Sequence, residues 1–166
     1  MMVPLQVEVR LVNWDDPSET EAVTFLTNHY ATHELALGRP LPKEILQQLV
    51  PKLRQLPTAR VFLAWEHHRP IGIATCLIGF STFKASELIN VHDLAVHESY
   101  RGRGVGRQLL EHVQQYAIDN GLCAVTLEVR SDNLPARNLY HQLGFRDLDD
   151  PLPSDHNLFG KWNVPN

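Results

Sequence analysis

The chain has 166 residues, 43% of them apolar and 20% charged, with a formal net charge of −4. That size fits one domain, residues 1–166, with a substantial core. The acidic balance argues against a general nucleic-acid binder, and no apolar run approaches the ~20 residues that a membrane helix needs. The opening MMVPLQVEVRLV lacks the basic flank and unbroken apolar stretch of a signal peptide. Cys76 and Cys123 fall in strand-like segments and read as buried free thiols, which fits a cytoplasmic location.

Leu5 to Val12 alternates as a half-buried strand does, with Leu5, Val7, Val9 and Leu11 on the apolar side. Asp15-Asp16-Pro17-Ser18 offers several N-caps, and Ala22, Val23, Phe25, Leu26 and Tyr30 follow at helical spacing. GRPLP at 38–42 breaks the chain before a second helix with Ile45, Leu46, Leu49 and Leu53. Val61–Trp65 and Ile71–Phe83 read as strands joined at His67-His68-Arg69-Pro70, and Leu88–Val96 as another. A helix with Val105, Leu109, Val113, Tyr116 and Ala117 on one face ends at Asn120-Gly121, where Gly121 suits the left-handed position past the helix. Ala124–Val129 is a strand, Asn133–Leu143 a short helix closed by Gly144, DLDDPLPSD at 147–155 a loop, and Leu158–Val164 a last strand. The order reads β-α-α-β-β-β-α-β-α-β-β. It describes an α/β (α+β) domain with a mixed, mostly antiparallel sheet, about four helices and one parallel strand–helix–strand unit, Leu88 to Val129.

Within that unit, Arg101-Gly102-Arg103-Gly104-Val105-Gly106-Arg107 joins a strand to a helix. Glycines let the backbone turn its N–H groups inward, the helix N-terminus adds partial positive charge, and arginines suit phosphate. A Walker loop is excluded because Gly106 is followed by Arg107-Gln108. A dinucleotide fingerprint is excluded because its third glycine would fall on Arg107.

Arg101, Gly104 and Gly106 match the pattern Gln/Arg-x-x-Gly-x-Gly/Ala. Asp93-Leu94-Ala95-Val96 precedes it; Leu127-Glu128-Val129, then Asn133, Ala136, Tyr140, Gly144 and Phe145 follow in order. Through these motifs the chain resembles the Gcn5-related N-acetyltransferase (GNAT) superfamily over residues 88–146. The resemblance implies acetyl-CoA as donor, its pyrophosphate held by the loop amides from Gly102 to Arg107 and its pantetheine arm by Leu94, Ala95 and Val96. The Leu94 amide would bond the thioester carbonyl as an oxyanion donor. Asn133 would bond a pantetheine amide, Ala136 permit close approach, and Tyr140 act as general acid toward the departing thiolate.

An amine acceptor must lose a proton before attack. Simple alternation puts Asn90, His92 and Leu94 on one strand face, Val91 and Asp93 on the other. His92 is the first candidate base, occupying a position where the family often has glutamate. Asp93 follows closely if a bulge re-aims the strand, and a purely structural His92 stays open. GFSTF at 79–83 also resembles the spermidine/spermine acetyltransferases, although His92 replaces their glutamate. Acceptor contacts are expected from Tyr30, Glu34, Phe80, Phe83 and His92. His29 and His33 are one helical turn apart without an acidic or cysteine partner at ligand spacing, so no metal is expected. The reading is direct acetyl transfer to a small-molecule amine in a ternary complex, with no nucleic-acid or membrane partner; a homodimer is what the resemblance suggests. The rivals are an acyl-CoA sensor or scaffold without turnover, a protein N-acetyltransferase and, third, a phosphate-ligand protein.

Overall fold

The computed structural model describes residues 5–146 and 157–165. The acidic loop expected at 147–155 lies outside them. Six strands form one sheet in sequential order: β1 (Glu8–Leu11), β2 (Ala59–Glu66), β3 (Arg69–Ser81), β4 (Ser86–Val96), β5 (Ala124–Arg130) and β6 (Asn157–Asn163). All neighbours are antiparallel except β4 and β5. The helices are α1 (Pro17–Ala31), α2 (Lys43–Gln55), α3 (Val105–Asp119) and α4 (Leu134–Gln142), with a one-turn 3-10 helix at Glu98–Tyr100. Of the two strands expected after α4, the described residues contain β6; Arg146 makes an isolated bridge to Lys161.

Each helix starts and stops for local reasons. Asp16 caps α1, its carboxylate accepting the Ser18 N–H at 2.8 Å, and Pro17 supplies a preset φ in the first turn. Gly121, at φ 66°, ends α3: its N–H bonds the Ile118 carbonyl and the Leu122 N–H bonds that of Ala117, closing a Schellman motif. Buried Val105, Leu109, Leu110, Val113 and Ala117 face the sheet. Tyr116, expected on that face, is half-buried at its rim and accepts a hydrogen bond from Arg60 Nε at 2.7 Å.

Two cores sandwich the sheet. Under α3 lie Phe62, Ala74, Cys76, Ile89, Val91, Val125, Leu127, Tyr140 and Phe145. Under α1 lie Val12, Val23, Leu26, Val61, Leu63, Trp65 and Ile73. β1 is shorter than the alternation implied: Leu11 is exposed while Val12 is buried. Arg10 takes the α1 face, where it donates to the carboxylate of buried Glu19 at 2.8 Å. The two cysteines are free; Cys76 is buried as expected, but Cys123 is half-exposed. α2 buries no residue fully, so its apolar stripe rests lightly on α1.

Candidate active site

The site opens where the sheet splits. β4 and β5 pair through Ile89–Val125, Asn90–Thr126 and Val91–Leu127, and no further. Beyond that point β4 continues beside β3 and β5 beside β6, leaving the outer edge of residues 92–96 free of strand partners. The His97 N–H bonds Ile71 O on β3. Alternation of hydrogen-bonding direction along an antiparallel ladder therefore turns the Leu94 and Val96 N–H groups toward the gap.

The glycine-arginine loop closes one end of this gap. Gly102 and Gly104 take left-handed φ values of 71° and 83°, and Gly104 is the N-cap of α3. Among the described residues, the amides from Gly102 to Arg107 have no backbone acceptor; the first helical bond runs from Gln108 N–H to Gly104 O. A run of free, converging N–H groups at a helix N-terminus is an anion seat. The arginine side chains are partly engaged by the protein. Arg101 Nε donates to Val96 O at 3.1 Å, the Arg103 guanidinium lies 5.5 Å from the Tyr100 ring centroid, and Arg107 donates to Gln142. The amides thus form the fixed part of the seat. Gly106 packs against Leu139 and Val96, where a Cβ would still find 3.5 Å.

α4 forms the far wall. Asn133 caps it, its side-chain oxygen accepting the Ala136 N–H at 3.3 Å, which leaves the side-chain NH2 as the group available to a ligand. Tyr140 is buried, its ring centroid 5.8 Å from that of Phe145. Its hydroxyl has no hydrogen-bond partner among the described residues, and burial first, then Tyr30, pushes its pKa up, so it holds its proton.

The largest departure from simple alternation is on β4. Asp93 pairs with Thr75 and Val91 with Cys76, leaving His92 as the extra residue of a β-bulge. The extra residue flips the phase of everything after it. Val91 and Leu94 pack with the α3 core, and Ala95 with the α1 core. Asp93 therefore shares the α1 face with Asn90, whereas alternation had joined Asn90 with His92 and Leu94. His92 is exposed at the bulge. Asp93 is half-buried; burial raises its pKa above the usual carboxylate value of 3.8, with His92 opposing that shift.

Tyr30, near the C-terminal end of α1, joins the same cluster. Burial first, then the Asp93 charge, raises its pKa. Tyr30 in turn acts on Tyr140, so Asp93, Tyr30 and Tyr140 form one electrostatically linked group at the split. Glu34 lies past α1, exposed in a turn. Phe80 and Phe83 are on the β3–β4 hairpin, 60% and 102% exposed, at the opposite end of β4. Ser86 to Asp93 alone spans about 23 Å of strand, so the chain does not bring that hairpin to the cluster.

Sequence reasoning missed a ring stack that ties α1 to the loop. His29 and His97 stack at 4.4 Å, Phe25 lies 5.9 Å from His97, and Tyr100 meets His97 edge-on at 6.1 Å. Burial, then His97, lowers the pKa of His29. His97 directly after a strand carried no periodic signal of this contact.

The split parallel pair and the glycine-capped helix lie at the residues that carry the motifs. Residues 22–145 match the acetyltransferase (GNAT) family. The chain belongs to that family. This GNAT protein is an N-acetyltransferase, and acetyl-CoA is the family's acyl donor. It is 27% identical over 144 residues to the uncharacterized N-acetyltransferase YycN of Bacillus subtilis, covering 80% of this chain and 92% of that one. It is 24% identical to the L-methionine sulfoximine/L-methionine sulfone acetyltransferase of Salmonella typhimurium, covering 91% and 88%. A partial match, 33% identical over 78 residues, joins it to the thialysine N-epsilon-acetyltransferase of Bos taurus, covering 47% and 45%. The solved structure of the putative acetyltransferase yncA of Salmonella typhimurium with acetyl-CoA superposes with a TM-score of 0.68 at 20% identity, over 97% of this chain and 95% of that one. Among the described residues, no helix is long and apolar enough to cross a membrane.

Proposed function

We propose that this GNAT protein moves the acetyl group of acetyl-CoA directly onto a primary amine of a small molecule, with Asp93 accepting the amine's proton and Tyr140 supplying one to the leaving sulfur. Acetyl-CoA brings the acetyl group as a thioester. The amides from Gly102 to Arg107 bind its diphosphate, and the outward N–H groups of Leu94 and Val96 hold the arm in place of a missing strand. The Leu94 N–H stabilises negative charge that grows on the carbonyl oxygen as the bond forms. Two relatives whose names specify small-molecule acceptors support that acceptor class. The narrower likeness to spermidine/spermine acetyltransferases rests on GFSTF at 79–83, and His92 stands where that subgroup has glutamate.

The observation that carries this reading is the bulge at His92, which turns Asp93 onto the face shared with Tyr30. A half-buried carboxylate with a raised pKa is a better base than an ordinary exposed one. Tyr140, held neutral by burial, keeps a proton to donate at neutral pH. The test is an amine panel with acetyl-CoA, read for CoA release, followed by pH profiles of Asp93→Asn and His92→Gln. An acid limb that vanishes in the Asp93 variant and persists in the His92 variant is the expected result. The reverse pattern would move the proton to His92.

A further inference from the structure

On the face that carries Asp93, β5 and β6 present two opposite charges that no ion pair among the described residues engages. Val125, Leu127 and Val129 point into the α3 core, so Thr126 and Glu128 point the other way. The Thr126 hydroxyl accepts the Asn90 side-chain amide at 3.0 Å, fixing that face as the one shared with Asn90. On β6, Leu158 and Gly160 are buried, so Phe159 and Lys161 turn to the same side. Register sets Phe159 opposite Glu128 and Lys161 opposite Thr126. Glu128 and Lys161 are thus diagonal neighbours, roughly 7–8 Å apart at the backbone.

The described ion pairs include neither Glu128 nor Lys161. Glu128 is exposed and Phe159 is 51% exposed, while α1 packs on β2, β3 and β4. Arg130, the next outward residue of β5, is engaged by Asp132 at 2.7 Å. From the bulge at His92, a track therefore crosses the open face: Asp93 on β4, Glu128 on β5, then Phe159 and Lys161 on β6. β5 and β6 are paired here, one strand spacing of about 4.8 Å apart, whereas β4 and β5 no longer pair beyond Val91 and Leu127, so the track is wider where it crosses the split.

Resting on the acetyl-transfer reading above, we propose that this track binds the amino-acid head of the acceptor. Glu128 takes an α-ammonium, Lys161 takes the α-carboxylate, and Phe159 packs against the carbon stem. The amine at the far end of the stem then meets Asp93. A four-carbon stem places that nitrogen about 6 Å from the α-carbon by ordinary bond lengths, so it extends from β5 across the split toward β4. The substrate class is a diamino acid, acetylated on its side-chain amine.

The test uses four amines on protein saturated with CoA, measured by calorimetry. L-Lysine carries both head charges, 1,5-diaminopentane only the ammonium, 6-aminohexanoate only the carboxylate, and pentylamine neither. Lysine is expected to bind about tenfold tighter than pentylamine. Glu128→Gln should weaken lysine and diaminopentane about fivefold more than the other two. Lys161→Gln should do the same to lysine and aminohexanoate. Binding of lysine no tighter than pentylamine, losses spread evenly over the four ligands, or no amine bound beside CoA would each overturn the proposal. Failure to bind acetyl-CoA at all is a separate result, and it would overturn the transfer reading beneath it.

Discussion

The proposed donor half and acceptor half of this site are built in different ways. The donor half runs mainly through one continuous stretch, Leu94 to Arg107, where strand edge, glycine turn and helix N-terminus follow one another along the chain, with α4 as its far wall. Its chemistry is mostly backbone: free amides whose direction glycine and the helix start dictate. The acceptor half draws Tyr30 from α1, Asp93 from β4, Glu128 from β5 and Lys161 from β6. Its chemistry is side-chain charge, and its geometry depends on one inserted residue, His92. A donor seat made of backbone serves any acceptor, whereas side chains gathered from four elements can change without disturbing it.

Asp93→Asn should have the largest effect, with kcat/KM falling ~10²–10⁴-fold while acetyl-CoA affinity holds. The same variant tests stability with a definite sign. The folded carboxyl titrates above its unfolded value of 3.8 because burial disfavours the charged form. Its favourable contribution is complete below that value and is lost as pH rises through the raised pKa. The asparagine variant should therefore melt higher than the parent at neutral pH, and the difference should shrink toward pH 4. A lower melting temperature at neutral pH would mean that Asp93 is structural, and the contrast between the halves would blur.

Tyr140→Phe keeps the ring against Phe145 and removes the hydroxyl, so kcat should drop ~10²-fold with the fold intact. Wild-type kcat would make Tyr140 packing only. On the donor side, a Cβ added at Gly104 meets no atom within 4 Å, so the strain of Gly104→Val comes first from φ 83°. A β-branched residue resists that conformation, and acetyl-CoA affinity should fall about tenfold by titration, for every acceptor alike. Gly72→Ala lies beneath the same loop, where a Cβ would stand 3.0 Å from Leu109 Cδ1 and 3.2 Å from Ala95 O. It should cost about 1–3 kcal/mol in denaturant unfolding. His92→Gln should have the smallest effect, kcat/KM moving less than about threefold. A larger loss would return His92 to the chemistry and weaken the importance of the bulge.

The sequence by itself determined the elements and the glycine-rich strand-to-helix turn proposed as the donor seat. Helical period, proline and glycine punctuation and the Arg101–Gly106 spacing are local signals, and local signals survive without knowing what packs on what. The same local logic placed Asn133, Ala136 and Tyr140 on one short helix. The tertiary structure alone decided which way Asp93 points. A β-bulge is a mismatch between two strands: Val91-His92-Asp93 reads as ordinary alternation until Cys76 and Thr75 are set beside it. It also decided that Tyr30 feels the charge of that carboxylate and that Phe80 and Phe83 lie at the far end of β4. Glu128 and Lys161 are 33 positions apart along the chain, and only the pairing of β5 with β6 makes them neighbours. Side-chain direction in a sheet is a property of register, and register belongs to pairs of strands rather than to either one.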